Sequence, residues 1–373
     1  MSAMEPVIAP AVTDEQKDAV FRFRYQVYVE EMHRYRSIAD HRKRQLREDV
    51  DDRSRLYLVT DKGRTVGALR FSWGGDAPFI DRHIVQYDLK PFLDCMPPEQ
   101  LVVGERFMVA PEYRGTDLLF RMFQTYLKFA NDHRIQLIIG DCEPHLLNLY
   151  MGLGFRTYTK RNVNSPETGY LIPLVMVPED MGYMRRIGSP LLKVLADFGD
   201  DVRIPGAAAE LLARETAVTS QIFAERDEYW SQVYDALNKV ENERTSPFDG
   251  MTGEQAASCL GKSSTIECVT GDRVVKKGNV ARNMFIVLSG TLEVRDEDRV
   301  LGTMTVGDIF GEIAFLLGTP RAADVYAVTD DVKILSLSES EIRKIIDLDP
   351  EIAARLMLNV SKMLCRRIYN SSN

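Results

Sequence analysis

No run of apolar residues in the 373-residue chain approaches the ~18 that would suggest a membrane span. The first ten residues lack a charged stretch followed by an apolar core, so they do not read as a secretory signal. Cysteine is scarce. Cys95, Cys142, Cys259, Cys268 and Cys365 are scattered and odd in number, and the five histidines form no cluster with them. No pair has metal-ligand spacing. A disulfide scaffold and a zinc site are thereby set aside, and the expectation is a reduced, cytoplasmic protein without metal. A basic surplus is also missing. The 47 Lys and Arg stand against 55 Asp and Glu, a net charge of −8, which argues against general nucleic-acid binding. There are no internal repeats and no long low-complexity tract. What remains is 45% hydrophobic and 27% charged, ordinary for a soluble globular chain, and long enough for two domains and a small third element.

The most distinctive stretch is Phe310-Gly-Glu-Ile-Ala, followed by Pro320-Arg-Ala-Ala323. Gly311 lets backbone N–H groups approach a ligand closely, and successive N–H groups make an anion-binding concavity. Arg321 adds a fork of donors that suits a phosphate. Glu312 can accept hydrogen bonds from a sugar hydroxyl. Short strands punctuated by Gly271, Gly278, Gly290 and Gly307 surround this stretch and indicate a β-roll, with helices from Ser338 and from Pro350 closing the chain. Gly311, Glu312, Ala314, Pro320, Arg321, Ala322 and Ala323 together resemble the phosphate-binding cassette of the cyclic nucleotide-binding domain family. The resemblance implies a pocket that includes Gly311, Glu312, Ile313, Ala314, Arg321, Ala322 and Ala323. Ala322 stands where cyclic-GMP binders of that family often carry Thr, which favours cAMP. The chain departs from the pattern at Asp324, where a small hydroxyl residue is usual. A carboxylate there repels a phosphate unless it points away or pairs with Arg321.

The N-terminal half reads differently. Thr13 with Gln16 forms a capping box before a helix running to about Met32, with Phe21, Tyr25, Tyr28 and Met32 on one face. The charged stretch from His33 to Arg55 reads as a solvated loop or short helix placed where a lid would be. Leu56–Thr60 and Thr65–Trp73 make a hairpin, Leu101–Ala110 a further strand, Thr116–Arg134 a helix and Gln136–Cys142 an apolar strand ending at Asp141. A short helix over Leu146–Met151 and late strands over Phe155–Tyr158 and Tyr170–Val177 complete a mixed α/β domain. The expected organisation is a mixed α/β domain over 10–180, a stiff helical connector over 181–250, with Phe223, Tyr229, Trp230, Val233 and Leu237 available for packing, and a β-roll nucleotide domain over 251–373.

That element order, with Val109-Ala-Pro-Glu-Tyr-Arg-Gly115 and Tyr150-Met-Gly-Leu-Gly-Phe155, resembles the GNAT acyltransferase family. In that family a strand–turn–helix holds the pyrophosphate of the acyl donor on helix N–H groups. The resemblance implies donor contacts at Phe107, Met108, Val109, Arg114, Gly115 and Thr116. The family turn reads Arg-x-x-Gly-x-Gly, whereas Asp117 and Leu119 replace its later glycines here. This disfavours coenzyme A and favours an acyl carrier protein as the donor's bearer.

Within residues 20–110, Arg24, Tyr28, Asp49-x-x-Asp52, Gly67-Ala-Leu-Arg70 and Arg106-Phe107 resemble the branch with acyl-homoserine lactone and N-acyl amino acid synthases. That branch carries a glutamate three residues before the Arg-Phe pair. Here Val103 holds that place and Glu105 precedes Arg106, so the acid is displaced or re-aimed by a β-bulge. Amine attack on a thioester needs a base, a donor for the thiolate, and oxyanion stabilisation by backbone N–H groups. Glu105 is the base expected, with Asp49 and Asp52 as alternatives. Tyr150 is the acid by resemblance, and otherwise a packing tyrosine. Arg24, Arg70 and Arg106 are expected to converge on an acceptor carboxylate or on the donor. The reading is a bacterial-type, cAMP-regulated enzyme that moves an acyl group from an acyl carrier protein or acyl-coenzyme A to a small amine or amino acid. A cAMP-regulated lysine acetyltransferase and a sensor with a decayed enzyme domain are the alternatives.

Overall fold

The stretch Arg55–Trp73 folds back on itself because Lys62 and Gly63 take left-handed backbone at the turn (φ 48° and 78°), which suits the twist of the flanking strands. The computed structural model describes residues 5–199, 201–214, 216–220, 226–238, 246–260, 263–280 and 282–371. The chain divides into two compact units. One comprises Met1–Cys142, Leu149–Thr159 and Ile172–Glu215, and the other Glu143–Asn148, Lys160–Leu171 and Thr216–Asn373. Residues 181–215 thus belong to the first unit, and those from 216 onward to the second.

In the first part of the chain the strands are β1 (Val7–Pro10), β2 (Arg55–Asp61), β3 (Arg64–Trp73), β4 (Leu101–Val109), β5 (Leu137–Cys142), β6 (Arg156–Thr157), β7 (Val163–Ser165) and β8 (Gly169–Met176). The helices are α1 (Asp14–Arg24), α2 (Asp81–Gln86), α3 (Lys90–Leu93), α4 (Leu118–Asp132), α5 (Leu147–Leu153), α6 (Met181–Ile187), α7 (Leu192–Leu195) and α8 (Gly206–Leu212). The strands form one mixed sheet in the order β1-β2-β3-β4-β5-β8-β6, with β7 paired to β8. Among the described residues only β4 and β5 run parallel in this sheet.

Alternating side chains send the sheet's apolar residues to two faces. On one, Phe71 meets Tyr126 and Phe129 of α4 at ring separations of 5.0 and 4.6 Å. On the other, Leu101, Val103, Leu137, Ile139 and Val175 are buried with Tyr87, Leu89 and Phe92 from the α2–α3 region and Ala208 of α8. The capping box at Thr13 forms as its sequence indicates. The expected continuous α-helix to Met32 does not: regular helix stops at Arg24, and Tyr25–Glu31 is wound as a π-helix.

The charged stretch from His33 onward is solvated over residues 40–44 but anchored on either side of them. Tyr35 and Leu46 are buried with Tyr25 and Val29, and Val50 and Asp51 also face inward. These apolar anchors outweigh the charges around them, because only the polar side chains between them need water.

In the second part of the chain the strands are β9 (Val218–Ser220), β10 (Ser264–Cys268), β11 (Arg273–Val275), β12 (Asn283–Ser289), β13 (Leu292–Asp296), β14 (Arg299–Met304), β15 (Ile309–Phe310), β16 (Asp324–Ala327) and β17 (Val332–Ser338). They form two sheets, β15-β12-β17-β10-β9 and β11-β16-β13-β14, the roll anticipated from the regular turns. The helices are α9 (Arg226–Asn238), α10 (Gly253–Leu260), α11 (Glu312–Leu317), α12 (Glu339–Leu348) and α13 (Pro350–Ser371). Tyr229, Val233 and Leu237 of α9 are buried with Leu260, Met284, Ile286, Leu335, Leu356 and Val360. The expected packing role of Phe223 and the end of the proposed connector helix at 239–243 lie outside the described residues. The architecture is a mixed α/β domain followed by a β-roll with C-terminal helices. No helix among the described residues is long and apolar enough to cross a membrane.

Candidate functional site

The parallel ladder between β4 and β5 covers only Leu101↔Leu137 to Val103↔Ile139. Beyond it β4 continues to Val109, paired on its other side with β3. There the β3 register advances from Ala68↔Met108 to Arg70↔Glu105, which leaves one extra residue in β4, and Arg106 takes φ 57°. This is a β-bulge, and it turns Glu105 and Arg106 toward the same group of charges. Glu48 and Asp51, at the start of a 3-10 turn over Asp49–Arg53, supply the opposite sign.

Arg24 Nη1 donates to both carboxylate oxygens of Asp51 at 2.7 and 2.8 Å. Arg70 Nη1 donates to Asp51 at 2.8 Å and to Glu48 at 2.9 Å, and its Nη2 donates to Glu105 at 2.9 Å. Arg106 grips Glu48 through Nε and Nη2 at 2.7 and 2.6 Å, and its Nη1 donates to the Tyr35 hydroxyl. Arg82 reaches Glu48 and Glu105 from a position that leaves its side chain 41% exposed. His83 Nε2 lies 3.0 Å from Glu105.

The Arg24 and Arg70 side chains have no exposed surface. Their convergence is real, but it is on carboxylates of this chain. The expectation that the arginines hold an acceptor carboxylate therefore fails for these two, which no ligand can touch. Arg24 Nε and Nη2 and Arg70 Nε are buried without hydrogen-bond partners.

The electrostatics follow from this packing. Burial pushes the Glu105 carboxyl up, but Arg70, His83 and Arg82 outweigh it and hold Glu105 well below the usual carboxylate range. Burial acts likewise on Glu48 and Asp51, and again the arginines win and lower both. Asp141 behaves oppositely. Burial, then the nearby Glu105 charge, push it up to about 6, against hydrogen bonds from Tyr87 and Gln86. Burial also raises the Tyr150 hydroxyl, whose ring lies among Phe123 and Phe155.

In the roll, Gly311 takes φ 77° at the N-cap of α11, a conformation that favours glycine. Arg321, 5% exposed, donates to the Gly311 carbonyl at 2.6 Å and to the Asn283 backbone and side-chain oxygens at 2.6 and 2.9 Å. Burial brings its pKa down to about 10, with Glu312 and Glu143 acting in the opposite direction. Glu312 accepts from Arg367 Nη1 of α13 at 2.8 Å, and Arg367 Nη2 donates to the Ile309 carbonyl. Asp324 neither pairs with Arg321 nor competes for it. Its carboxylate accepts the Lys277 backbone N–H at 2.9 Å. Ile313 is 51% exposed on the outer side of α11, and Ala314 is buried beneath it.

Residues 265–349 match the family described as the cyclic nucleotide-binding domain, and residues 23–124 match the acetyltransferase (GNAT) domain. The chain joins a GNAT domain to a cyclic nucleotide-binding domain. Among curated relatives, a cAMP-dependent protein kinase regulatory subunit of Mycosarcoma maydis is 32% identical over 100 residues, covering 25% of this chain and 19% of that one. Glutaminase 2 of Bradyrhizobium diazoefficiens is 32% identical over 153 residues, covering 36% of this chain and 24% of that protein. The chain thus spans well under a third of the length of the curated relatives it matches. A solved coenzyme A-dependent acyl-homoserine lactone synthase aligns at 16% identity and TM-score 0.37, over 51% of this chain and 96% of that one.

The structure brings Arg24, Arg70, Glu105 and Arg106 of the GNAT domain together and leaves out Asp49 and Asp52. Both aspartates are exposed, and Asp52 pairs with Arg47 at the surface. The inward acids are their neighbours Glu48 and Asp51, because burial of Leu46 and Val50 sets which side of the turn faces the arginines. Arg82, His83, Tyr87 and Asp141 escaped sequence reasoning. For Asp141 the signal was present, a carboxylate near the end of an otherwise apolar strand.

On the donor side, Phe107 stacks on Phe123 at 4.4 Å, and Met108 and Val109 are buried. Arg114 is held by Glu31 at 2.5 and 2.8 Å. Gly115 takes φ 80°, and Thr116 Oγ1 accepts the Leu118 N–H, one of the free donors at the start of α4. Asp117 stands at the N-cap of α4 without a side-chain capping bond. Ala322 and Ala323 follow Arg321 into β16.

Proposed function

We propose that this chain is a cyclic nucleotide-regulated N-acyltransferase that moves an acyl group from a carrier thioester to a small amine. The observation that carries this reading is the end of the β4–β5 ladder beside the bulge at Arg106. Past Val103, the β4 edge facing β5 has backbone groups free of that ladder, where a thioester carbonyl could be polarised as its oxygen gains charge. The buried arginine–carboxylate cluster holds this stretch of β4 in place, so its role is to position rather than to bind.

The donor turn supports acyl carrier protein over coenzyme A. Arg114 is occupied by Glu31, one helix N–H is taken by Thr116, and Asp117 places negative charge where a pyrophosphate would sit. The effector reading rests on the cassette, with Gly311 and Arg321 in place and Asp324 turned to Lys277. Ala322 and the similarity to cAMP-dependent protein kinase regulatory subunits favour cAMP. Regulation requires that nucleotide bind two states of the chain with different affinity. Glu143, whose charge acts on Arg321, is the residue directly after β5.

The test is direct. The full chain is incubated with a long-chain acyl-acyl carrier protein or with acetyl-coenzyme A, plus a mixture of amino acids, with and without cAMP. Free thiol and acylated product are followed. Carrier-dependent N-acyl product whose rate changes with cAMP is expected. Acetylation of protein lysines without small-molecule product would replace this reading with a lysine acetyltransferase. Bound nucleotide with no turnover under any condition would leave a sensor.

A further inference from the structure

We propose that Asp141, rather than Glu105, accepts the proton of the attacking amine, an inference that rests on the acyl-transfer reading above. Asp141 lies on β5 two residues past the last β4–β5 pair, at Ile139. The strands stay close as they part: a Cβ on Gly140 would lie 3.0 Å from the Gly104 carbonyl oxygen. Asp141 therefore follows immediately after the narrow end of the opening between β4 and β5.

Its carboxylate is held from one side only. Gln86 Nε2 and the Tyr87 hydroxyl both donate to Oδ2, at 2.6 and 3.0 Å. Oδ1 takes no hydrogen bond among the described residues. The contrast with the neighbouring acids is chemical. Glu48, Asp51 and Glu105 are each bound by two or more cations, which stabilises their charged form and makes them poor proton acceptors. Asp141 forms no ion pair among the described residues. The groups acting on it are Glu105 and Arg106 of β4, Gln86 of α2 and Tyr87 just after it, and its own charge acts on Tyr150 and Tyr158. Their balance, with burial dominant, leaves Asp141 at about 6, near the value a base needs at neutral pH.

The amine nitrogen bonds to the thioester carbonyl carbon and gives its proton to Oδ1. The C–S bond then breaks, the sulfur leaves as thiolate, and Asp141 returns the proton to solvent. Tyr87 is a positioning residue here: its hydroxyl fixes Oδ2 and also reaches Glu105 Oε1 at 3.4 Å.

The experiment uses the full chain with octanoyl-acyl carrier protein and two acceptors, a mixture of amino acids and hydroxylamine. Wild-type kcat/KM with amino acids should rise as pH rises through about 6. Asp141→Asn should lower it by about 100- to 10,000-fold and abolish that limb. The nitrogen of hydroxylamine becomes more acidic on attack than that of an amino acid and can lose its proton to water, so its rate should fall much less than the rate with amino acids. An Asp141→Asn enzyme that keeps both rate and limb, while Glu105→Gln loses them, overturns the proposal and leaves the acyl-transfer reading intact.

A second measurement does not depend on turnover. Labelling of folded full chain by a water-soluble carbodiimide and glycine ethyl ester, mapped by peptide mass, should modify Asp141 with a midpoint near pH 6. Failure to label Asp141 at any pH, with surface Asp52 labelled, overturns the free Oδ1. Absence of turnover with Asp141 labelled as expected overturns the acyl-transfer reading instead.

Discussion

Asp51→Asn tests whether the buried charge cluster holds the GNAT domain together. The substitution keeps the shape of the side chain and removes its charge. Asp51 is enclosed, as are both of its partners, Arg24 and Arg70. In the wild type the three arginines Arg24, Arg70 and Arg106 face the three carboxylates Glu48, Asp51 and Glu105. The variant leaves these three arginines, with Arg82 at the rim, against two anions, and turns an amide N–H₂ toward guanidinium donors. Removing one partner of a buried pair costs about 3–5 kcal/mol, because the remaining charge stays buried without compensation. Against a typical total of about 5–15 kcal/mol, that is a large part of the domain's stability. The expected fall in Tm is roughly 6–20 °C, at about 2–4 °C per kcal/mol for a unit of this size.

The chain has two tryptophans, Trp73 in the first unit and Trp230 in the second. In a Trp230→Phe background, Trp73 fluorescence reports unfolding of the first unit. Asp52→Asn is the control. Its partner Arg47 is 57% exposed and Asp52 itself 67%, so the loss should be under about 1 kcal/mol. The pH dependence has a definite sign. The folded-state pKa of Asp51 is depressed, so its stabilisation is fully present above the unfolded value near ~3.9 and is lost as pH falls through the folded one. The gap between wild type and Asp51→Asn should therefore be constant from about pH 8 to 5 and shrink below about pH 4. Equal stability of Asp51→Asn and Asp52→Asn at pH 7 would refute the reasoning.

Gly311→Ala should abolish cAMP binding measured by calorimetry, because φ is 77° there and a Cβ would lie 2.2 Å from Arg321 Nη1. Arg321→Ala should do the same with the roll still folded by circular dichroism; unchanged affinity would refute the assigned pocket. Arg367→Ala should tighten cAMP binding by up to about 10-fold, since Arg367 occupies the Glu312 carboxylate that a sugar hydroxyl needs; weaker binding would show that Arg367 helps to hold the ligand. Asp117→Gly should improve coenzyme A binding by about 2–5-fold in a displacement titration, by removing a like charge from the start of α4.

The features read correctly from sequence are those whose cause is local. The capping box at Thr13 forms because a side chain and an N–H three residues on are neighbours in any helix. The cassette is equally local, since Gly311 supplies a backbone conformation that the spacing to Arg321 then exploits. Acids in the charged stretch are a different case. Glu48 with Asp51 and Asp49 with Asp52 are both pairs three residues apart, and a 3-10 turn puts either pair on one side. Spacing gives the period and not the phase. The phase comes from Leu46 and Val50, whose burial rotates Glu48 and Asp51 inward and leaves Asp49 and Asp52 in water.

The same distinction separates binding from positioning among the arginines. From sequence, Arg24, Arg70 and Arg106 are three cations in apolar surroundings, and a ligand carboxylate is a natural partner. Each turns out to have its carboxylate within the chain, supplied by segments 19 to 58 residues away. A charge that is already neutralised and enclosed cannot discriminate among acceptors, so acceptor recognition falls to groups at the rim. Arg82, with 41% of its side chain exposed above Glu48 and Glu105, is the cation of this cluster that solvent reaches most freely. Arg82→Ala should therefore raise KM for a carboxylate-bearing acceptor with little loss of stability, while Arg24→Ala should destabilise the fold before any kinetic effect is read. An Arg82→Ala enzyme with unchanged KM would place acceptor recognition away from this cluster altogether.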